Sequence, residues 1–330
     1  MVDLTVDPVV SVVLPVYNCP QYVGQAIESI LAQTYADCEL IVIDDGSQDE
    51  TPDVLRRFKE PRIRIVTQAN RGLAATLNRG IELARGRYIA RQDQDDVSFP
   101  ERLARQVAFL EAHPACALVG TWAEIRREDD RTGRVHRHPS DNASLQFELL
   151  LNNPFVHSSV VIRKAALDRV GVYSTDTGRQ PPEDYELWSR IARQFEVANI
   201  PEVLHAYREI EGSMSRVGPS PFMDHLVTIS SENIALAAGL DPSDPQVVNI
   251  AAIAHNADHR VQGRPDFVSM RKVLARAAAG VAPDQRERFA SEARLRVDSL
   301  RHGYWGRRYG HGWRLQLARV SYRIARLTRG

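Results

Sequence analysis

The sequence predicts an α/β protein: a mainly parallel sheet with helices on both faces, followed by an α-helical C-terminal region. Three observations predict it. Over the first hundred residues, short β-branched runs alternate with apolar residues at helical spacing. The runs are nearly continuous in apolar character, as strands buried on both faces require. Beyond about residue 215 the sequence becomes alanine-rich and strand signals stop.

In chain order, "VVSVVLP" (Val9–Pro15) is the first strand. Val23, Ala26, Ile27, Ile30 and Leu31 then mark a helix, with Asn18 and Pro20 as its cap and first-turn residues. "ELIVID" (Glu39–Asp44) is the second strand, and "TPDVLRRF" opens a helix with Thr51 as N-cap and Pro52 first inside. "RIRIV" (Arg62–Val66) is the third strand; Leu73, Leu77, Ile81 and Ala84 form a third helix, which Gly86 ends. "RYIA" is a fourth strand.

Such alternation implies parallel strands joined by helical crossovers, with ligands bound beyond the carboxyl ends of the strands. The polar groups fall there: Asn18, then Asp44 and Asp45, then Asp93, Asp95 and Asp96. Further on, "CALVGTWAEIRR" suggests a strand pair and "PFVHSSVVIRKAAL" a strand entering a helix. "PPEDYELWSRIARQF" is a helix burying Leu187, Trp188 and Ile191. The expected domains are residues 1–215 and 216–330.

Composition narrows the function. The 330 residues, 43% hydrophobic and 25% charged, can fill one large or two ordinary domains. Zero formal net charge gives no field to recruit nucleic acid, and none is expected as a partner. Cys19, Cys38 and Cys116 have no CxxC spacing, which argues against a disulfide framework or cysteine zinc site and fits a reducing compartment. The first residues carry Asp3 and Asp7 and no basic cluster, unlike a signal peptide, and no apolar stretch approaches the ~20 residues of a membrane span. A cytoplasmic location is expected.

Three like charges within four residues, Asp93 to Asp96, are either a solvated turn or a cation site. In an extended segment Asp93 and Asp95 would share a face ~6.5 Å apart. Oxygen ligands alone favour a hard divalent ion, Mg²⁺ or Mn²⁺. Ser98 stands where a calcium loop would need glycine.

"PVYN" (Pro15–Asn18), "IDDGSQDET" (Ile43–Thr51), "NRGLAATLNRGIELARGRYIARQDQDD" (Asn70–Asp96) and "EDYELWSRIA" (Glu183–Ala192) occur in this order. Together they resemble the family 2 glycosyltransferases, inverting enzymes of the Rossmann-like GT-A fold that use nucleotide-sugar donors. The resemblance covers about residues 9–215, and its specificity lies in order and spacing. It implies that Pro15, Val16, Tyr17, Asn18, Asp44, Asp45, Asn70, Arg71, Gly72, Asp93 and Gln94 hold the nucleotide. It assigns Asp95 to a divalent metal, Mn²⁺ or Mg²⁺, with Asp93 on the ribose or the same metal, and leaves Asp96 a supporting carboxylate.

The metal's implied task is to neutralise the departing nucleoside diphosphate. Asp184 is the implied general base toward an acceptor hydroxyl, with Glu183 supporting it. Arg208 and Ser215 would contact the diphosphate, and His157 would line the acceptor side. Two departures stand out: Glu211 replaces a frequent histidine, and Leu77 replaces the arginine of an "ARN" element. A UDP-sugar is the commonest donor in the family, with dTDP and GDP open; saccharides or lipid-linked saccharides are the implied acceptors. The alternatives are a sugar nucleotidyltransferase, for which "PVYNCPQYVG" lacks a glycine-rich basic loop, and a non-catalytic nucleotide-binding scaffold of the same fold.

Residues 301–330 contain eight arginines and no acid. Trp313, Leu317, Val320, Ile324 and Leu327 recur at helical spacing, which describes a basic amphipathic helix. It suits either the anionic inner face of a membrane or docking on its own protein or a partner subunit.

Overall fold

A computed structural model describes residues 7–210 and 221–310. The chain divides into two compact units, Met1–Leu145 with Asn153–Gly218, and Gln146–Asn152 with Pro219–Gly330. The expected boundary at residue 215 lies outside the described residues. Membership of residues 146–152 in the second unit carried no signal in the sequence, which placed them with the first.

The first unit begins with β1 (Val10–Val16), every residue buried, and α1 (Val23–Leu31). β2 (Cys38–Asp44), α2 (Thr51–Leu55), β3 (Ile63–Thr67), α3 (Leu73–Leu83) and β4 (Tyr88–Arg91) follow. β1 pairs in parallel with both β2 and β4, and β2 with β3. β3 is the sheet edge and carries the exposed residues that an edge tolerates.

After β5 (Val97–Ser98) and α4 (Arg102–Ala112) come β6 (Cys116–Arg127), β7 (Asp130–His136) and α5 (Asn142–Glu148), whose last three residues belong to the second unit. Then β8 (Val161–Arg163), α6 (Lys164–Val170), α7 (Glu183–Ala192) and β9 (Glu196–Glu209) complete the unit. The strand order is β3-β2-β1-β4-β8-β6-β9-β5, with β7 paired to β6. β8 runs antiparallel to β4 and β6, whereas β6 and β9 are parallel. The four-stranded parallel half thus joins a mixed half at β4, where the acidic turn begins. Val12, Leu14, Ile27, Leu40, Val42 and Leu103 lie in the core between sheet and helices.

Several local expectations need correction. "CALVGTWAEIRR" is one twelve-residue strand, not a pair, because both of its long edges are occupied by β8, β9 and β7. Asn18 and Pro20 do not cap α1, whose N-cap is Tyr22. Asn18 has φ 48° and bonds across to the β2 loop instead. Thr51 lies inside α2, and its Oγ1 accepts from the Cys19 N–H at 2.8 Å. Gly86 lies beyond the end of α3: a Cβ there would sit 2.6 Å from Ser11 N, so glycine permits the close pass against β1.

In the second unit, α8 (Phe222–Ala238), α9 (Pro245–Ala254), α10 (Phe267–Val281) and α11 (Arg286–Tyr309) bear out the expected helical region. Asp244 and Asp266 cap α9 and α10 through their carboxylates. Phe147 packs on Phe289, ring centroids 5.3 Å apart. Tyr304 and Trp305 are buried against Phe267. That stretch of α11 therefore docks on its own protein; residues 313–327 lie outside the described residues. No helix among the described residues is long and apolar enough to cross a membrane.

Candidate active site

The loops after β1, β2, β3 and β4 meet at the carboxyl ends of the parallel strands. Asp45 organises two of them. Its Oδ1 accepts from the Arg71 N–H and from Gln68 Nε2, at 2.9 and 2.8 Å, and its Oδ2 from the Gly72 N–H at 2.9 Å. Gly72 has φ 82°, a left-handed conformation that glycine adopts without strain, but nothing lies within 4 Å of its would-be Cβ. Backbone conformation therefore calls for glycine here within the protein itself. Asp44 is buried and accepts from the Ser47 N–H at 3.0 Å. Pro15 and Val16 are buried in β1, while Tyr17 is 43% exposed and Asn70 and Arg71 are open to solvent.

The acidic segment is a turn, not the extended arrangement expected for Asp93 and Asp95. Gln92 draws it shut: its Nε2 donates to Asp93 O and Asp96 O, and its Oε1 accepts from Ser98 and Arg102. Gln94 ties the turn to β1 through Tyr17 N and O.

The three aspartates differ. Asp96 is fully buried and takes the Ser158 hydroxyl, His205 Nε2 at 3.2 Å and the Arg208 N–H at 2.8 Å. Asp93 is paired with Arg91, Nη2 to Oδ1 2.5 Å. Burial works against its charge, but the Arg91 guanidinium outweighs that and holds its carboxyl below the usual range. Asp95 takes no side-chain hydrogen bond among the described residues. Burial, then the charges of Asp96 and Asp93, push its carboxyl up. A carboxylate so placed is stabilised by a cation.

On the opposite side, α7 opens with Glu183 and Asp184. Asp184 Oδ2 accepts from Asn153 Nδ2 and Oδ1 from the Tyr185 N–H, both at 2.7 Å. Burial raises both carboxyls, Asp184 to about 6 and Glu183 above it; Asp184 adds to the rise in Glu183, and Asp93 to that in Asp184. The acidic turn and the start of α7 are thus in electrostatic contact. His157 sits 3.9 Å from Glu183 and 3.0 Å from the Tyr173 hydroxyl. Burial and Arg91 hold its imidazole down to about 3, hence neutral. Trp188 is buried in the core, as its position on the helix predicts.

Arg208 departs from its expected placement. Its guanidinium is buried, donates to Asp95 O, Glu128 O, Asp129 and Gln25, and stacks on Tyr22 with 4.4 Å to the ring centroid. It pins β9 to the acidic turn, and all three of its nitrogens are engaged, so diphosphate binding does not follow from this arrangement. Ser215 and Glu211 lie outside the described residues.

Sequence reasoning missed Arg91, Gln92, Arg102, Asn153, Ser158 and His205. Arg91 and Arg102 are buried beneath the turn, and Arg102 donates to Arg91 O. The available signal was an arginine ending an otherwise apolar strand immediately before three acids.

The family model described as Glycosyl transferase family 2 matches residues 11–171. EpsE of Bacillus subtilis is 34% identical over 67% of this chain and 81% of its own length. The chain belongs to glycosyltransferase family 2. It is also similar to the amylovoran biosynthesis glycosyltransferase AmsE of Erwinia amylovora, 33% identical over 60% of this chain and 75% of AmsE. The Escherichia coli UDP-Glc:alpha-D-GlcNAc-diphosphoundecaprenol beta-1,3-glucosyltransferase WfaP is 31% identical over 62% of this chain and 79% of WfaP.

Among solved structures, S. aureus TarS (residues 1–349, in complex with UDP-GlcNAc) superposes with a TM-score of 0.62 at 18% identity, covering 92% of this chain and 93% of TarS. The mannosyltransferase PcManGT from Pyrobaculum calidifontis, with GDP-Man and Mn²⁺, gives 0.51 at 20% identity, over 97% and 81% of the two chains. The family 2 fold is therefore the GT-A fold predicted, and the family activity is glycosyl transfer. The nucleotidyltransferase and scaffold alternatives fall with that membership.

Proposed function

We propose that the protein is an inverting, divalent-metal-assisted glycosyltransferase. It would move a sugar from a nucleoside diphosphate, most simply UDP, to a hydroxyl of a saccharide or lipid-linked saccharide. Support for the donor comes from the UDP-GlcNAc complex of TarS and from the name of WfaP, which also supports a lipid-linked acceptor. The donor and acceptor sites are assigned to residues 1–215. The nucleotide lies against Tyr17, Asn18 and the Asn70–Gly72 loop, with Asp44 and Asp45 shaping those loops.

Asp95 and Asp93 would hold the metal. The donor set fits: two carboxylates supply oxygen ligands, and the Asp95 carboxyl makes no ion pair at salt-bridge distance among the described residues, while burial and its acidic neighbours hold it ready for a cation. No three acids, histidines or cysteines there group as a complete ligand set. Two protein ligands with positions left for phosphates suit Mg²⁺ or Mn²⁺. When bound, such an ion supplies positive charge to the leaving diphosphate.

The protein's own work is at α7. Asp184 accepts the proton of the acceptor hydroxyl as that oxygen bonds to the anomeric carbon. The bond from that carbon to the diphosphate breaks, and its electron pair leaves with the nucleotide. One displacement from the opposite face inverts the anomeric centre. A carboxyl raised to about 6 is largely ionised at neutral pH and a stronger base than an ordinary aspartate. Glu183, with neutral His157 beside it, supports the acceptor side.

One observation carries this reading: the acidic turn after β4 and the carboxylates opening α7, remote in sequence, share one electrostatic site. Turnover of UDP-, GDP- and dTDP-sugars with Mn²⁺, alongside Asp184→Asn, tests it. The variant should bind nucleotide and lose turnover by about 10²-fold or more. Full turnover in the variant would overturn the assignment. The cytoplasmic face of the inner membrane, reached through residues 301–330, and an oligomer are further parts of this proposal.

A further inference from the structure

The geometry points to Asn153 as the positioning residue for the base, holding the Asp184 carboxylate in one orientation while the acceptor hydroxyl attacks. This rests on the reading of Asp184 as the base. Asn153 Nδ2 donates to Asp184 Oδ2 at 2.7 Å, and Asn153 Oδ1 accepts from the Phe155 N–H at 3.1 Å. The second bond fixes the sense of the amide. Flipped, it would set oxygen against the carboxylate and N–H against N–H.

Asp184 Oδ1 meanwhile takes the Tyr185 N–H. Each carboxylate oxygen thus has one donor, from two different segments, which fixes its plane. Each also keeps an acceptor position for a substrate hydroxyl. The N-cap of α7 is Pro182, with no side-chain cap, and among the described residues Asn153 is the side chain seen donating to this acid.

The groups facing Asp184 make the amide matter. Glu183 adjoins it on the same helix, Asp93 faces it from the turn after β4, and Tyr173 from the loop after α6. Arg91 and neutral His157 face Glu183. Burial, and after it the Asp93 carboxylate, favour protonation of Asp184, whereas the Tyr185 and Asn153 N–H groups favour its ionised, basic form. Removing that donor leaves the base harder to ionise and free to rotate.

The test compares Asn153→Ala and Asn153→Asp with wild type and Asp184→Asn, all full length. Hydrolysis of UDP-glucose, UDP-GlcNAc and GDP-mannose with Mn²⁺ is followed, water standing in for the acceptor. Asn153→Ala should lower kcat about tenfold or more, leave donor KM within about twofold, and move the acid limb of the kcat profile to higher pH. Asn153→Asp, which sets a carboxylate against a carboxylate, should move it further.

Calorimetric UDP binding in the presence of Mn²⁺ should be unchanged, which shows that the variants fold. Independently of turnover, ¹³C NMR titration of the Asp184 carboxyl should move upward in Asn153→Ala. Unchanged kcat and titration in Asn153→Ala, with Asp184→Asn inactive, would overturn the positioning role alone. So would a loss of UDP binding equal to the loss of turnover. An active Asp184→Asn would overturn the base reading itself.

Discussion

Gln94 and Tyr17 pair in both directions: the Tyr17 N–H donates to Gln94 Oε1 at 2.7 Å, and Gln94 Nε2 donates to Tyr17 O at 3.3 Å. A side-chain amide has taken the place of a strand neighbour just past the end of β1. Through it, the loop that carries exposed Tyr17 and the turn that carries Asp95 hold a common position. Both were expected to touch the nucleotide; these two bonds make them one unit.

Gln94→Ala removes both bonds and should cost about 1–2 kcal/mol of stability, at roughly 1 kcal/mol per neutral hydrogen bond. Nucleotide affinity should fall about tenfold, because the two loops no longer share a position. Urea unfolding and calorimetric titration with UDP measure these separately. Unchanged UDP affinity would remove Gln94 from the site.

Metal dependence should depend on Asp95. Wild type should bind UDP more tightly with Mn²⁺ than in EDTA, whereas Asp95→Asn should bind it equally in both. The substitution also replaces a carboxyl whose ionised form burial and its acidic neighbours disfavour, so stability in EDTA should not fall. A metal effect of wild-type size in Asp95→Asn would place the ion elsewhere.

The α7 carboxyls give stability a definite pH slope. Burial raises the proton affinity of Glu183 and Asp184 in the folded state, so between about pH 4 and about 7 the native protein holds protons that the unfolded chain has released. Their contribution is therefore full at the acid end of that window and declines as pH rises through it. Activity runs the other way, since the base must be ionised: kcat should climb with pH through about 6. Glu183→Gln should flatten the stability slope in unfolding experiments at pH 5, 6 and 8. An unchanged slope would mean that Glu183 titrates normally.

Two glycines should fail for different reasons. Gly86→Ala drives a Cβ to within 2.6 Å of Ser11 N and 2.8 Å of Val10 C, backbone atoms of a central strand that cannot yield. It should cost about 1–3 kcal/mol or more, as overpacking does. Gly72→Ala meets nothing but must hold φ 82°, a strain of about 1–2 kcal/mol in the loop that Asp45 organises. Thermal unfolding should therefore be shifted more by Gly86→Ala, and nucleotide binding more by Gly72→Ala.

Sequence periodicity made the strand–helix alternation legible because burial of one helix stripe or both strand faces leaves a local pattern. β1 to β4 follow that pattern within a residue or two. Caps were less legible: Asn18 and Thr51 have good capping side chains, yet cross-chain partners, Ser47, Gln48 and Cys19, occupy them. Arg208 illustrates the same limit. The family resemblance implied a diphosphate contact, but β9 carries this arginine beneath the acidic turn, where the protein's own oxygens take its nitrogens.

By itself, then, the sequence determined the α/β class and the order of the loops that carry the carboxylates, since each depends on residue type and short spacing. Only the tertiary structure decided how those carboxylates differ. Asp96 is saturated by Ser158, His205 and Arg208, Asp93 is bound to Arg91, and the Asp95 carboxylate takes no hydrogen bond from another side chain among the described residues. Charge at a buried carboxylate is governed by desolvation and by neighbours a few ångströms away, and those neighbours come from β4, β9 and the segment before β8. No local pattern records which of them will arrive.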